Sequence, residues 1–91
     1  MIKEKIIVSG RVQGVGFRYS CVQVAKKLGI KGQVWNNADG TVGILAQAEH
    51  SEQMTQFISE LRKGPSPFAK VTYLDHIPDR FPDFSDFSVK Y

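Results

Sequence analysis

The order in which hydrophobic periodicities follow one another constrains the fold of this chain most strongly. Residues 5–11 (KIIVSGR) are rich in β-branched side chains and contain a glycine near their end, which is typical of a strand. From Phe17 onward, apolar residues recur at i, i+4, i+7, i+8 and i+11, which is the spacing of one helix face, and Gly29 is suited to end that helix. The chain is therefore predicted to begin as a strand, a glycine-containing loop and a helix.

The middle of the chain predicts a hairpin and a second helix. Residues 31–36 (KGQVWN) and 41–48 (TVGILAQA) have strand character, and Asp39-Gly40 between them is a strong turn signal. Ser51 is predicted to cap the following helix, which Gly64-Pro65 ends. The apolar stripe of that helix consists of Met54, Phe57, Ile58 and Leu61.

The last part of the chain completes a recognisable order of elements. Residues 69–77 (AKVTYLDHI) alternate in polarity as a strand does, and residues 87–91 (FSVKY) suggest a final short strand after a proline-containing loop. The order β-α-β-β-α-β is that of ferredoxin-like domains. We therefore predict an α/β (α+β) protein, a ferredoxin-like sandwich in which two helices cover one face of an antiparallel sheet, and a single domain over residues 1–91.

Length and composition narrow the class of protein. A chain of 91 residues is too short to divide its core between two domains. Its net charge of +3 suits a small anion or nucleic acid, and equally suits solubility alone. Cys21 is the one cysteine, and we expect neither a signal peptide nor a membrane-spanning helix, because the apolar runs are too short for either. The expected location is the cytoplasm, without a disulfide or a membrane partner.

The predicted topology brings two distant segments to one edge of the sheet. In a split βαβ arrangement the first two strands run parallel with another strand between them, so their C-terminal ends meet at the same edge. The loop at residues 12–17 leaves the first of these strands, and Asn36 ends the second. We therefore expect that loop and Asn36 to face a common pocket.

The loop in GRVQGVGFR (residues 10–18) has the features of an anion-binding site. Gly14 and Gly16 permit positive φ angles, which allow successive backbone N–H groups to point at one centre beside a helix N-terminus. Arg18 in the first helical turn opposes the helix dipole by up to roughly 1 kcal/mol unless an anion lies between them. The predicted phosphate-binding residues are Gln13, Gly14, Val15, Gly16, Phe17 and Arg18.

Several other phosphate chemistries do not fit these residues. A nucleotide-binding P-loop ends in Gly-Lys followed by Ser or Thr, whereas this loop ends in Gly-Phe-Arg. Cys21 follows Arg18 and lies on the apolar helix face, so it is interpreted as a core residue and not as a nucleophile. His50 and His76 have no evident catalytic partner, and no cluster resembles a metal site.

A site with donors but no nucleophile, strong base or metal requires a substrate whose leaving group is already good. An acyl phosphate qualifies, because its carboxylate leaving group has a pKa of about 4 and departs without a general acid. Phosphoryl transfer through a loose transition state needs mainly positioning and charge stabilisation. We therefore expect Arg18 to bind the phosphoryl group and Asn36 to orient the attacking water.

These motifs together resemble the acylphosphatase family, in order and over essentially the whole chain. They are GRVQGVGFR (10–18), GQVWN (32–36), DGTV (39–42), LRKGP (61–65) with AKV (69–71), and the terminal FSVKY. The resemblance implies hydrolysis of acyl phosphates without a cofactor, with Arg18 and Asn36 as the catalytic residues. Asn37 departs from the pattern, since many relatives have Thr or another small polar residue there, and the family does not require Cys21.

A non-catalytic ferredoxin-like module that binds or regulates through a phosphorylated small molecule or RNA is the alternative. RNA-recognition domains share this order of elements but display aromatic side chains on their central strands. The corresponding strands here, KIIVSGR and TVGILAQA, contain none, which argues against RNA. The expected partners are a small-molecule acyl phosphate and inorganic phosphate or sulfate as product or inhibitor, with no nucleic acid, and the protein is expected to be a monomer.

Overall fold

Five strands and two helices build the molecule, for which a computed structural model describes all residues from 1 to 91. They are β1 (Ile2–Arg11), α1 (Phe17–Leu28), β2 (Lys31–Asn36), β3 (Val42–Ala48), α2 (Ser51–Lys63), β4 (Lys70–Pro78) and β5 (Phe87–Val89). The strands form one sheet in the order β4-β1-β3-β2-β5. The predicted β-α-β-β-α-β order is confirmed, and β3 lies between the parallel strands β1 and β2 as the split arrangement requires.

The sheet is mixed, because the predicted antiparallel arrangement holds for the first four strands and the outer strand β5 is parallel. β1, β2, β3 and β4 pair antiparallel, but β5 pairs parallel with β2. Strand β4 ends at the edge opposite to the ends of β1 and β2, because it runs antiparallel to β1. The segment 79–86 carries the chain along that edge, and the backbone carbonyl of Asp86 accepts a hydrogen bond from the Gly32 N–H at the start of β2. Strand β5 therefore starts at the same edge as β2 and runs beside it in the same direction.

The starts of β1 and α2 differ from the sequence prediction. β1 begins at Ile2 and not at residue 5, because its first residues pair with the end of β3. Helix α2 begins at Ser51 with His50 as the N-cap, so the prediction that Ser51 caps it is wrong. The backbone N–H of His50 donates to the side-chain oxygen of Gln53, while the Ser51 hydroxyl donates to the neighbouring Glu52. The Gln53 side chain thus accepts the hydrogen bond of the N-cap N–H at the start of α2, as in a capping box.

The core lies between one face of the sheet and the two helices. The predicted apolar stripe of α2 is fully buried, and Phe57 meets Phe87 of β5 edge-to-face with ring centroids 5.9 Å apart. On α1, Phe17, Cys21 and Ala25 are buried. Neither α1 nor α2 combines the length and apolar character that a bilayer span needs.

The topology places three chain segments at one edge of the sheet. β1, β2 and β5 run in the same direction, so their C-terminal ends lie together. The loop between β1 and α1, the turn after β2 and the end of the chain after β5 therefore share this edge.

Candidate active site

The loop between β1 and α1 has the backbone that its glycines predict. Gly14 and Gly16 adopt φ angles of 73° and 77°, in the left-handed region that other residues rarely occupy. Gly16 is also the N-cap of α1, and no side chain caps the helix there. The first N–H groups of α1 are therefore left without a protein side-chain acceptor at this end.

Arg18 has no carboxylate partner in this structure. The first turn of α1 contains no acidic residue, and the lysine–carboxylate pair of the molecule joins Lys3 to Asp83, away from Arg18. The Arg18 guanidinium instead lies over the ring of Tyr91, with its central carbon 5.6 Å from the ring centroid. A cation without a counter-charge beside an uncapped helix N-terminus makes this edge of the molecule attractive to an anion.

A cleft of about 200 Å³ opens at this loop. It is lined by Val12, Gly14, Gly16, Phe17, Arg18, Tyr19, Val89 and Tyr91. Four of the six residues predicted to bind phosphate thus line one cleft, whereas Gln13 and Val15 do not. Tyr19 and Tyr91 also line the cleft although no sequence motif marks either of them, and Tyr91 reaches this edge only because β5 brings the end of the chain there.

The side chain of Gln13 is directed to the turn that follows β2. Its amide nitrogen donates to the carbonyl oxygen of Asn37 at 2.8 Å and to that of Thr41 at 2.9 Å. Gln13 is among the residues predicted to bind phosphate, but its side chain is bonded to the protein backbone. The loop is thereby tied to the β2–β3 turn.

The Val15 carbonyl is held from another side of the loop by Ser66. Ser66 is buried, with 4% of its surface exposed, and its hydroxyl donates to the Val15 carbonyl oxygen at 2.5 Å. Nothing in the sequence around Ser66 indicates this contact, because it joins residues 51 positions apart. The bonds of Gln13 and of Ser66 thus hold the loop beside the cleft at two points, at residues 13 and 15.

Asn36 is the last residue of β2 and is exposed at the same sheet edge, although it does not line the cleft. No protein group hydrogen-bonds its side chain, whereas that of Asn37 is bound on both sides. Asn37 accepts from the Trp35 indole N–H at 2.8 Å and donates to the Thr41 hydroxyl at 3.0 Å. Asn37 therefore serves the turn itself, and the carboxamide of Asn36 is available to solvent.

Trp35 is half-buried and supports the turn. Its ring lies over Gly43 of the neighbouring strand, where an added Cβ would come within 2.5 Å of the indole. Because its N–H is bound to Asn37, Trp35 acts as a packing residue for the hairpin.

Two ionisable groups near the site have shifted pKa values. Burial raises the pKa of the Cys21 thiol, which keeps it protonated and agrees with its interpretation as a core residue and not a nucleophile. Hydrogen bonds from the hydroxyl and the backbone N–H of Thr41 lower the pKa of Asp39, which is fully exposed in the turn. Neither group supplies a base at the cleft.

The two histidines lie away from the cleft. His50 precedes α2, and His76 pairs with Glu4 at 2.6 Å, on the part of the sheet remote from the loop. Nowhere in the molecule do three or more histidine, cysteine or acidic side chains come together as a metal site would need.

Comparison with known proteins adds a family to this geometry. The acylphosphatase family model matches residues 4–89. The acylphosphatase of Lactococcus lactis is 56% identical, with full coverage of both chains. The acylphosphatase of Thermotoga maritima is 46% identical over 96% of this chain and 94% of its own. Among solved structures, the acylphosphatase from Bacillus subtilis superposes with a TM-score of 0.93 at 40% identity over the whole of both chains.

Proposed function

This chain belongs to the acylphosphatase family, and we propose on that premise that it hydrolyses the carboxyl–phosphate bond of acyl phosphates to a carboxylate and inorganic phosphate. One observation supports the proposal most directly. The same cleft is bordered by the uncapped N-terminus of α1, by the left-handed loop glycines Gly14 and Gly16, and by Arg18, which has no carboxylate partner. Such an arrangement suits a phosphoryl group and offers no nucleophile that would form a covalent intermediate.

Arg18 is proposed to bind the phosphoryl oxygens. Its planar guanidinium can donate two parallel hydrogen bonds, and these strengthen as charge moves onto the oxygens in the transition state. Backbone N–H groups of residues 13–18 supply the remaining donors, with Gly14 and Gly16 allowing close approach. The predicted set of Gln13, Gly14, Val15, Gly16, Phe17 and Arg18 is retained for this role through the main chain.

Asn36 is proposed to orient the attacking water. Its side-chain oxygen can accept a hydrogen bond from water, which directs the water oxygen at phosphorus from the side opposite the acyl group. The new bond joins the water oxygen to phosphorus, the bond from phosphorus to the acyl oxygen breaks, and the carboxylate leaves with the electron pair. The water protons pass to the phosphate product and solvent, so no strong base is required at the start.

The alternative of a non-catalytic RNA-binding module is disfavoured. RNA-recognition domains have four strands, which correspond here to β4-β1-β3-β2, and their central pair corresponds to β1 and β3. Neither β1 nor β3 carries an aromatic side chain on which a base could stack. The family relationship likewise supports the enzyme over a purely regulatory domain.

Finer features of the protein are part of the same proposal. We propose that residues 1–91 act as one domain and a monomer in the cytoplasm, without a cofactor and without a nucleic-acid partner. A free, protonated Cys21 is consistent with a reducing compartment. Inorganic phosphate and sulfate, which present the same tetrahedral oxygens as the transferred group, are expected to inhibit competitively.

Release of inorganic phosphate from benzoyl phosphate in the presence of EDTA tests the proposal. Hydrolysis is expected with the acyl phosphate and not with a phosphate monoester, because an alkoxide leaving group needs a general acid and no histidine, aspartate or glutamate lines the cleft. Equal rates with the two substrates, or no rate with the acyl phosphate, would contradict the proposed function.

A further inference from the structure

The side chain of Gln13 makes two contacts that no anion could share. Its amide nitrogen donates to the carbonyl oxygens of Asn37 and Thr41, at 2.8 Å and 2.9 Å. A carbonyl oxygen can only accept, so the amide must present its nitrogen to both partners and cannot reverse its orientation without placing an oxygen against two oxygens. Both N–H donors of the side chain are thereby used within the protein.

These two bonds join parts of the site that are distant in sequence. Gln13 belongs to the loop that borders the cleft, and its partners lie 24 and 28 positions later, on either side of the turn after β2. The two partners are also bonded to one another, since the Asn37 N–H donates to the Thr41 carbonyl at 2.8 Å. Gln13 thus binds the turn at its first and last residues, Asn37 and Thr41, directly after Asn36 in the chain.

No other side chain bridges the loop and this turn by a hydrogen bond. The remaining loop contact of this kind is from Ser66 to Val15, which comes from the segment after α2. The side chain of Asn37 bonds only within the hairpin, to Trp35 and Thr41. Beyond the backbone ladder of β1, β3 and β2, the hydrogen bonds of Gln13 are therefore the side-chain link between the cleft loop and the turn next to Asn36.

We propose that Gln13 is a positioning residue, whose carboxamide sets the distance between the phosphate-binding loop and the water held by Asn36. This inference rests on the proposed function. In-line transfer requires the water and the phosphoryl group to be aligned, and a displacement of about 1 Å can cost about 100-fold in rate. Loss of the two bonds would leave each half of the site intact but no longer in register with the other.

Gln13→Met tests this role, because methionine keeps the length of the side chain and removes both donors. We expect kcat for benzoyl phosphate to fall about tenfold or more, while the inhibition constant for inorganic phosphate stays within about threefold of the wild-type value, because the backbone N–H groups and Arg18 remain. Gln47→Met is the matched control. The side chain of Gln47 also bonds to main chain, at Phe84, but near the opposite edge of the sheet, and its loss should leave kcat within about twofold.

The decisive measurement repeats Gln13→Met in an Asn36→Ala background. A residue that acts through Asn36 has nothing left to position there, so the second substitution should lower kcat by less than about twofold further. The same tenfold loss in both backgrounds would overturn the inference, as would wild-type kcat in Gln13→Met alone. Absence of hydrolysis by the wild-type protein would instead contradict the proposed function.

Gln13→Asn keeps the inference testable if Gln13→Met does not fold. Asparagine retains both N–H donors on a side chain shorter by one methylene, so it reaches the two carbonyls less well. Its kcat should fall below the wild-type value, again without a comparable change in phosphate inhibition, and again with little further effect once Asn36 is alanine. Urea unfolding of each variant separates a loss of stability from a loss of alignment.

Discussion

At the scale of single residues, the site depends on a cation that has no partner in the protein. Arg18 stands in the first turn of α1, where the helix dipole disfavours it, and its one neighbour of note is the face of Tyr91. The side chain of Asn36 likewise makes no hydrogen bond within the protein, whereas that of the adjacent Asn37 is bonded within the turn. Polar groups left unengaged at one edge are available to a ligand.

Arg18→Ala is expected to lose roughly 3–4 kcal/mol of transition-state stabilisation while the fold is retained. Arg18→Lys should fail as well, because an ammonium group cannot reproduce the planar pair of donors. Both are checked by kcat/KM for benzoyl phosphate, with Arg80→Ala, an exposed arginine on the segment after β4, as the control. A near-wild-type rate for Arg18→Lys would leave Arg18 only the role of a point charge.

Asn36→Ala is expected to cost a similar 3–4 kcal/mol in kcat/KM, because an unoriented water attacks in few productive geometries. Unlike Arg18→Ala, it should keep competitive inhibition by inorganic phosphate, since Asn36 is not assigned to the phosphoryl oxygens. Parallel measurement of kcat and of the phosphate inhibition constant checks this. Loss of phosphate inhibition together with activity would place Asn36 in the binding of the anion.

At the scale of elements, the β2–β3 hairpin is the part that carries Asn36, and its side-chain contacts make it rigid. Trp35 packs on Gly43 across the two strands and bonds to Asn37, and Thr41 closes the turn through Asp39. Gly43 leaves the space that the indole fills. The orientation of Asn36 therefore depends on a cross-strand pair on the face of the sheet opposite the helices.

Gly43→Ala is expected to destabilise the protein by about 1–3 kcal/mol, since the new methyl group would come within 2.5 Å of the Trp35 ring. The displaced indole should also lose its bond to Asn37, which tryptophan fluorescence can follow during urea unfolding. Ala46→Gly is the comparison, because it measures the effect of exchanging glycine and alanine at a position of β3 that is not paired with Trp35. Wild-type stability and an unchanged fluorescence maximum for Gly43→Ala would contradict this account.

At the scale of the whole molecule, β5 closes the fold and completes the cleft. Its parallel pairing with β2 brings Val89 and Tyr91 to the edge where the loop and Asn36 lie. Phe87 anchors this strand in the core against Phe57. A short terminal strand thereby links the stability of the core to the shape of the site.

Phe87→Ala is expected to lower the free energy of unfolding by about 3–5 kcal/mol, as is usual when a buried aromatic ring is removed. Phe68→Ala is the matched control, because its ring is 71% exposed and its removal leaves no cavity. Urea denaturation gives both values. Equal, small effects would mean that β5 contributes little to the core.

Most of the fold could be predicted from local pattern, because strand alternation, helix spacing and the buried stripe of α2 are properties of neighbouring residues. The direction of β5 could not. The sequence FSVKY has strand character whichever way it pairs, and only the position where β4 ends makes it run parallel to β2. The predicted cap of α2 is wrong for a related reason: the N-cap is His50, whose N–H donates to the Gln53 side chain, and Ser51 is the first residue of the helix.

By itself, the sequence determined the glycine-dependent backbone of the loop, the placement of Arg18 in the first helical turn and the position of Asn36 at the end of a strand, since these follow from residues adjacent in the chain. Only the tertiary structure decided that the Gln13 side chain holds the β2–β3 turn, that Ser66 holds Val15 and that Tyr91 lies beside Arg18. Such contacts join residues 24 to 73 positions apart, with partners chosen by which segments the sheet brings to one edge.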